Sequence, residues 1–261
     1  MNQAIFDRKL LLANKIRAKK HFEDHNFLYV EVANKIVENL QFLDRNFESV
    51  LEISGRDGYL SNQIKLTKNP KKIITTEVLN YDGNNQVIND DEFLPFKSES
   101  FDLVVSNLNF HFINNIPAFL LQVKDILKPN GIFIASFFGE ENLSELAHVL
   151  YEVENEICGG ISPRMSPTIE VKTAAHLLQK AGFKNPISDF EKIEVNYSDP
   201  LNLLKDLKMM GQGNILFSRS KRFISKRFLL KFSEVYRGLY AAENQTVKAN
   251  FEIVSLTGWK G

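Results

Sequence analysis

Polar side chains follow three apolar segments of the chain, each at the point where a predicted strand ends. The first segment leads into Glu52-Ile53-Ser54-Gly55-Arg56-Asp57-Gly58, the second ends at Glu77, and the third is followed by Asp90-Asp91. A carboxylate at Glu77, 25 positions after Glu52, can accept hydrogen bonds from both hydroxyl groups of a ribose. Asp90, one strand further along, can accept a hydrogen bond from an adenine amine. The spacing therefore predicts a nucleoside site.

Residues after the fourth predicted strand are the candidates for a chemical step. Asn107, Asn109 and His111 lie there. His111 can act as a base or orient an acceptor, and the alternative is a structural histidine that closes the pocket beside two phenylalanines. Tyr197, at the end of a later predicted strand, either lines the acceptor site or serves in packing.

Alternating strand and helix patterns must position these residues. The predicted strands are residues 49–53, 72–78, 85–89, 101–107, 131–138, 187–197 and 250–259, and the main predicted helices are 28–41, 59–68, 114–127 and 169–181. The alternation is typical of βαβ units, so we expect an α/β protein with a doubly wound, mostly parallel, seven-stranded sheet. Ligands bind beyond the carboxyl ends of the strands in such sheets, where the polar residues lie.

The same patterns predict a single domain over residues 1–261. We expect N-terminal helices as a cap over 1–45, a core over 46–199, a helical insertion over 200–244 that contains a stripe from Leu201 to Met210, and a closing strand within 245–261.

Composition and charge exclude several classes of protein. The 261 residues contain 32 basic and 32 acidic side chains, 44% hydrophobic and 25% charged residues. These values are ordinary for a globular protein, and the zero net charge argues against nucleic acid as a partner.

Cys158, the single cysteine, is expected to be a small buried residue in a reducing compartment. The sequence has no run of apolar residues long enough to span a membrane and no secretory signal, so we expect a cytoplasmic protein or a mature organellar one.

Three further segments contain residues that could bind or react. Ser162, Arg164 and Ser166 lie in a proline-bounded loop, which forms either a lid or a turn with capping serines. The stretch from Arg219 to Lys231 holds six basic residues and no acidic one. It predicts a basic amphipathic helix that lies on an anionic membrane or an acidic partner, or else covers the sheet. The histidines of residues 21–25 precede the first strand, so we expect a solvated helix end there and no metal site.

The chain resembles the class I S-adenosylmethionine-dependent methyltransferases in three segments that occur in the expected order: DDEFLPFKSESFDLVVSNLNFHF, ILKPNGIFIASFFG and LLQKAGF. Within that fold it is most similar to the family of mitochondrial complex I assembly factor 5 and its bacterial relatives. The residues that carry this second resemblance are IFDRKL near the start, Asp91 to Phe96, Gly159 to Pro167, Val195 to Tyr197, Asp206 to Gly211 and Gly258 to Lys260. The malonyl-carrier-protein methyltransferases of biotin synthesis are more distant.

The resemblance implies a Rossmann-like methyltransferase fold with S-adenosylmethionine as its cofactor. It implies that Glu52 orients the methionine part, Gly58 lets a helix pack closely, Glu77 holds the ribose and Asp90 the adenine. The rest of the expected binding set is Ser54, Gly55, Asp91 and Asn107, and the expected catalytic set is His111, Asn107 and Tyr197. For the assembly-factor family, the implied activity is hydroxylation of an arginine on a complex I subunit.

The chain departs from the family pattern at its first turn. Ser54 and Arg56 replace the first two glycines of acidic-x-Gly-x-Gly-x-Gly. We expect the long side chain of Arg56 to weaken cofactor binding, and the alternative is that it forms a salt bridge with the carboxylate of the cofactor. Three functional classes remain open: an enzyme that methylates a protein or a small acceptor, an assembly factor that modifies or holds a respiratory-complex subunit, and a degenerate binding protein without catalysis.

Overall fold

The computed structural model describes residues 4–81, 85–243 and 245–261. The expected outer limit of the cap, residue 1, and the expected end of the insertion, residue 244, lie outside the described residues. Within the described residues the helices are α1 (Arg8–Ala18), α2 (Phe22–His25), α3 (Phe27–Phe42), α4 (Tyr59–Lys68), α5 (Ile116–Ile126), α6 (Ser144–Cys158), α7 (Val171–Lys180), α8 (Pro200–Met209) and α9 (Lys226–Tyr240). The strands are β1 (Ser49–Ile53), β2 (Lys72–Glu77), β3 (Gln86–Ile88), β4 (Phe101–Ser106), β5 (Leu127–Phe138), β6 (Lys184–Tyr197) and β7 (Val247–Trp259).

These strands form a sheet of the order β3-β2-β1-β4-β5-β7-β6, which confirms the predicted seven-stranded α/β architecture. β1 lies between β2 and β4 and is parallel to both, with Leu51 opposite Ile74 on one side and Val104 on the other. A central parallel strand is covered on both faces, which explains why Val50, Leu51 and Ile53 are all fully buried. The sheet is mostly parallel, with an antiparallel pair at one edge.

Contacts within the chain divide it into two compact units. One comprises Met1–His21, Gly139–Thr168 and Glu191–Ile253, and the other comprises Phe22–Phe138, Ile169–Phe190 and Val254–Gly261. We call the second the sheet unit, because β1 to β5 lie within it. Its core is formed by fully buried apolar side chains of β1, β4, β5, α5 and α7, among them Leu51, Val104, Phe133, Phe119 and Leu178.

The other unit, which we call the helical unit, holds α1, α6, α8 and α9. Within it, α6 packs against α9, and Phe232 and Tyr236 of α9 are fully buried with their rings in edge-to-face contact. Helix α6 was not among the predicted elements.

Three predictions from the sequence are wrong in detail. The expected helix over 219–231 is not continuous, because α9 begins only at Lys226, where the side chain of Ser225 accepts a hydrogen bond from the Phe228 amide at 3.1 Å and caps the helix. The predicted helix over 114–127 ends at Ile126, and the strand predicted over 131–138 begins earlier, at Leu127. The early part of this strand is held because Asn130 N donates to Lys260 O at 2.8 Å and Lys260 N donates to Gly131 O at the same distance. Cys158 is exposed and not buried, since it is the last residue of α6.

Candidate nucleoside site

The turn from β1 into α4 keeps a backbone shape that glycine adopts easily. Ser54 and Arg56 have φ of 61° and 46°, and Gly58 has φ of 76°. Gly55 N donates to Thr76 O at 3.1 Å and Gly58 N donates to Gly55 O at 2.7 Å, and these bonds hold the turn against β2. A Cβ on Gly55 would stand 3.0 Å from the Glu52 carboxyl group, so this position also needs glycine. A non-glycine residue in this region of φ costs about 1–3 kcal/mol.

Glu52 lies inside the sheet unit, beneath the start of α4. Its Oε2 accepts hydrogen bonds from the amide and the hydroxyl of Ser61, with an N···O distance of 3.1 Å. Burial raises the pKa of the Glu52 carboxyl group to about 8, against the opposing effect of the Ser61 hydrogen bonds. At neutral pH this side chain is therefore largely protonated, and its hydrogen bonds to Ser61 link β1 to the start of α4.

Two other carboxylates are fully buried where the chain leaves β2 and β3. Glu77 accepts a hydrogen bond from Ser54 Oγ at 3.1 Å and another from the Val78 amide at 2.7 Å. Asp91 accepts a hydrogen bond from Asn109 Nδ2 at 3.1 Å. Asp90 is only half-buried, and its Oδ1 accepts a hydrogen bond from the Glu92 amide. Glu77 and Asp91 are therefore the carboxylates best placed for a buried ligand.

Arg56 fills the space above the turn. The side chain is 4% exposed, and its guanidinium carbon lies 5.0 Å from the ring centroid of Phe22 and 4.9 Å from that of Tyr29. None of its three side-chain nitrogens has a hydrogen-bond partner. Burial opposes the charge, but Tyr29 and the carboxylates of Glu77 and Asp91 hold the pKa of the guanidinium above its usual value.

Little space is left around this arginine. The cavity beside it is about 10 Å³, room for about one water molecule. Its lining comes from α3, β1, the turn, the start of α4 and the residue after β4, and includes Tyr29, Glu52, Ser54, Arg56 and Asn107.

Asn107 ties the end of β4 to its neighbours. Its Nδ2 donates to Tyr29 O at 2.9 Å, and its Oδ1 accepts from Ser136 Oγ at 3.0 Å. Ser136 in turn accepts from the Leu108 amide at 2.9 Å. Both polar ends of the Asn107 side chain thus have partners within the sheet unit, which fixes Asn107 as part of the wall.

His111 follows β4 in a short 3₁₀ turn and is buried. Its ring lies 4.2 Å from that of Phe112 and 4.7 Å from that of Phe138, measured between centroids. The sheet unit therefore contains every residue of the predicted set except Tyr197.

Tyr197 belongs to the helical unit, where it is buried at the end of β6. Burial raises the pKa of its hydroxyl group well above the usual value, so it stays protonated at any physiological pH. The prediction that Tyr197 lines an acceptor site stays a prediction.

The proline-bounded loop of the helical unit is held by Glu154. This buried carboxylate accepts from the Ser162 amide at 2.9 Å and from Arg164 Nε at 2.9 Å, while the Arg164 guanidinium stacks on Phe228. Ser166 is half-buried.

In the part of the chain that the structure describes, no group of three or more histidine, cysteine, aspartate or glutamate side chains is placed to hold a metal ion. Nor does any described helix have the length and apolar character needed to cross a membrane.

The aromatic partners of Arg56 are the site residues that the sequence did not reveal. Phe22 and Tyr29 lie in helices before β1, and their rings contact each other edge to face at 5.0 Å. Tyr81, also close to the arginine, has its pKa raised by burial to about 12. Arg56 at a glycine position is the sequence signal that could have predicted these aromatic residues, because a buried guanidinium needs aromatic rings or carboxylates around it.

Comparison with known proteins identifies the family. Residues 61–135 match the model of a methyltransferase domain. The human "Arginine-hydroxylase NDUFAF5, mitochondrial" is 36% identical over 98% of this chain and 77% of its own length. A malonyl-[acyl-carrier protein] O-methyltransferase of Gallionella capsiferriformans is 23% identical over 100% of this chain and 93% of its own. These matches confirm both resemblances seen in the sequence.

The fold has solved counterparts as well. A SAM-dependent methyltransferase from Archaeoglobus fulgidus covers 92% of this chain and 97% of its own with a TM-score of 0.52, at 13% identity. The chain has the class I methyltransferase fold and, by its identity to the human protein over nearly its whole length, belongs to the NDUFAF5 family.

Proposed function

We propose that this protein binds S-adenosylmethionine at the carboxyl ends of β1, β2 and β4 and modifies an arginine side chain of a respiratory complex I subunit. The observation that carries the proposal is the identity of 36% to an arginine-modifying relative over almost the whole chain. The buried pair Glu77 and Asp91 supports it, because it lies where this fold binds its ligands.

The residues present fit the cofactor with one condition. Glu77 can accept from the ribose hydroxyl groups and Asp91 from the adenine amine, and Gly55 and Gly58 let the backbone approach the ligand. Arg56 fills the space that the nucleoside needs, so the cofactor fits once this side chain has moved. When bound, S-adenosylmethionine supplies an electrophilic methyl group.

The chain's own residues would then orient and deprotonate the acceptor. A guanidinium nitrogen that gains a methyl group must lose a proton, and we assign His111 as the base, because it is a buried imidazole that directly follows the end of β4. Asn107 keeps the wall of the pocket in place through its bonds to Tyr29 and Ser136.

A second candidate reaction is hydroxylation of the same arginine. The similarity to a human protein named as an arginine hydroxylase favours it. The fold does not choose between the two reactions, since one fold supports several chemistries.

Mass spectrometry of the complex separates these reactions. Complex I would be purified from cells with and without this protein, and its arginine-containing peptides compared. A methyl group that depends on the protein, and that carries isotope from methyl-labelled S-adenosylmethionine, supports methylation. An added oxygen without that label supports hydroxylation. Identical peptides in the two samples, with the complex assembled, would refute the proposal.

We also propose that the segment 221–227 contacts an anionic membrane surface, and that the protein works in the cytoplasm beside that membrane. Every residue of the segment is exposed. Phe223 is fully exposed and Ile224 is 49% exposed, and the basic residues Lys221, Arg222, Lys226 and Arg227 lie next to them. Each basic residue near such a surface contributes about 1 kcal/mol, so the four together would contribute about 4 kcal/mol at low salt.

Vesicle flotation tests the membrane contact. The wild type should float with phosphatidylcholine vesicles that contain phosphatidylglycerol, and not with phosphatidylcholine alone. Replacing both Phe223 and Ile224 by serine should abolish flotation, whereas Phe42→Ser, which changes an exposed phenylalanine elsewhere, should not. Equal flotation of the double variant and the wild type would contradict the assignment.

A further inference from the structure

Arg56 is an unusual residue for its position. Its φ of 46° lies in the left-handed region, where glycine is favoured, yet its long side chain turns inward and is buried. Two neighbouring bonds, Gly55 N to Thr76 O and Gly58 N to Gly55 O, fix the backbone of the turn. The side chain is therefore directed over the ends of the strands by the fold itself.

The surroundings of the guanidinium explain why it is stable there. An arginine buried without hydrogen bonds is unfavourable, and the structure gives its three nitrogens no hydrogen-bond partner. The rings of Phe22 and Tyr29 lie against it at 5.0 and 4.9 Å. The two carboxylates that stabilise its charge, Glu77 and Asp91, are those best placed to bind a nucleoside.

We infer that Arg56 and the cofactor compete for the same space and the same two carboxylates, so that Arg56 sets the cofactor affinity of this chain. The cavity of about 10 Å³ beside the guanidinium cannot hold a nucleoside. Binding therefore requires the side chain to leave the rings of Phe22 and Tyr29. The inference rests on the proposed function, because it takes S-adenosylmethionine as the ligand of this pocket.

The alternative is that Arg56 stays in the pocket and binds the carboxylate of the cofactor, as a guanidinium does well. The two cases have opposite consequences for variants. If Arg56 competes, its removal tightens binding. If it binds the cofactor, its removal weakens binding.

Calorimetric titration with S-adenosylhomocysteine distinguishes them. We expect Arg56→Gly to bind between about tenfold and about thirtyfold more tightly than the wild type, since the ligand no longer has to displace two ring contacts. Glycine suits the φ of this position, and Arg56→Ala serves as a second variant should the first not fold. The matched control is Arg45→Ala, because Arg45 also stacks on a phenylalanine, Phe47, at 5.5 Å, but lies before β1 and away from the strand ends.

Chemical labelling gives a readout independent of affinity. Phenylglyoxal, which reacts with accessible guanidinium groups, should label Arg56 slowly in the free protein and faster with S-adenosylhomocysteine, while the labelling of Arg45 stays constant. Protection of Arg56 by the ligand would overturn the inference.

The outcomes separate the inference from the proposed function. Measurable and equal binding by wild type and folded Arg56→Gly, or weaker binding by the variant, overturns the inference and leaves the cofactor proposal standing. Absence of binding by both proteins overturns the cofactor proposal together with the inference.

Discussion

Replacing Glu52 by glutamine tests the electrostatics of the pocket floor. The carboxyl group of Glu52 is buried beneath the turn, and its pKa is raised by this burial to about 8. Its Oε2 accepts from the amide and the hydroxyl of Ser61, and the Oε1 of a glutamine can take both bonds. The substitution therefore removes an ionisable proton and keeps the contacts.

The expected effect follows from the protons bound in each state. Below about pH 4.5 the carboxyl group is protonated in the folded and the unfolded chain alike. Between about pH 4.5 and 8 the unfolded chain has lost the proton and the folded chain keeps it, so the free energy of unfolding falls as the pH rises. One proton corresponds to about 1.4 kcal/mol per pH unit, or about 3 kcal/mol from pH 5 to pH 7. In Glu52→Gln, which has no proton to lose at this position, the free energy of unfolding should not show this decrease with rising pH.

Urea unfolding at several pH values between 5 and 8 measures how the free energy of unfolding depends on pH in each protein. The difference in unfolding free energy between Glu52→Gln and wild type should grow steadily in favour of the variant as the pH rises. Glu48→Gln is the control, because Glu48 is exposed and a hydrogen bond from Lys71 lowers its pKa, so it is ionised in both states throughout this range. A difference that does not change with pH, or one that shrinks, would refute the reasoning.

Two further substitutions test other buried polar contacts. Ser136→Ala should destabilise the sheet unit by about 1–3 kcal/mol in urea unfolding, because it removes the two buried hydrogen bonds that the Ser136 hydroxyl makes with Asn107 Oδ1 and the Leu108 amide; an unchanged midpoint would count against this. Arg164→Ala should destabilise the protein by about 2 kcal/mol at pH 7, because it leaves the buried Glu154 carboxylate uncompensated. Burial alone would raise the pKa of Glu154, but the hydrogen bonds of Arg164 and its loop lower it. The effect should therefore shrink as the pH falls from 4.5, the ordinary pKa of a glutamate, through the lowered pKa of Glu154, and a pH-independent effect would mean that Arg164 acts only by packing on its aromatic neighbour.

The strands of the sheet were predictable from the sequence because their signals are local. The run 49–53 and the helix 59–68 were predicted with the bounds that the structure has, since an apolar run and a helical repeat are each bounded by turn residues. Helix α6 was not predicted because its N-cap residue, Leu143, is not a residue type that caps helices. Leu143 also has a left-handed backbone conformation, which the sequence does not indicate. The strand predicted over 131–138 was started four residues too late, because Asn130 pairs with Lys260 near the far end of the chain, which no local pattern reveals.

The sequence selected Glu52, Glu77, Asp90 and Asp91 by their place at the ends of predicted strands, and their role in binding stays a prediction. That Glu52 is largely protonated at neutral pH, and that Asp91 is fully buried while Asp90 is only half-buried, follows from packing that the sequence does not encode locally. The aromatic contacts of Arg56 depend on helices that precede β1, and therefore needed the structure.

Both departures from the family's glycine pattern affect Glu77. Ser54 and Arg56 each keep a left-handed backbone that costs about 1–3 kcal/mol in a non-glycine residue. The Ser54 hydroxyl donates to Glu77, and the charge of Arg56 stabilises the same carboxylate. A glycine replaced at random would leave the backbone strained without a stabilising interaction between the new side chain and Glu77. The Ser54 hydroxyl therefore provides this carboxylate with a hydrogen bond that a ribose hydroxyl would otherwise offer, and Arg56 provides a nearby positive charge. The stability of the pocket is thus set against its affinity for the cofactor.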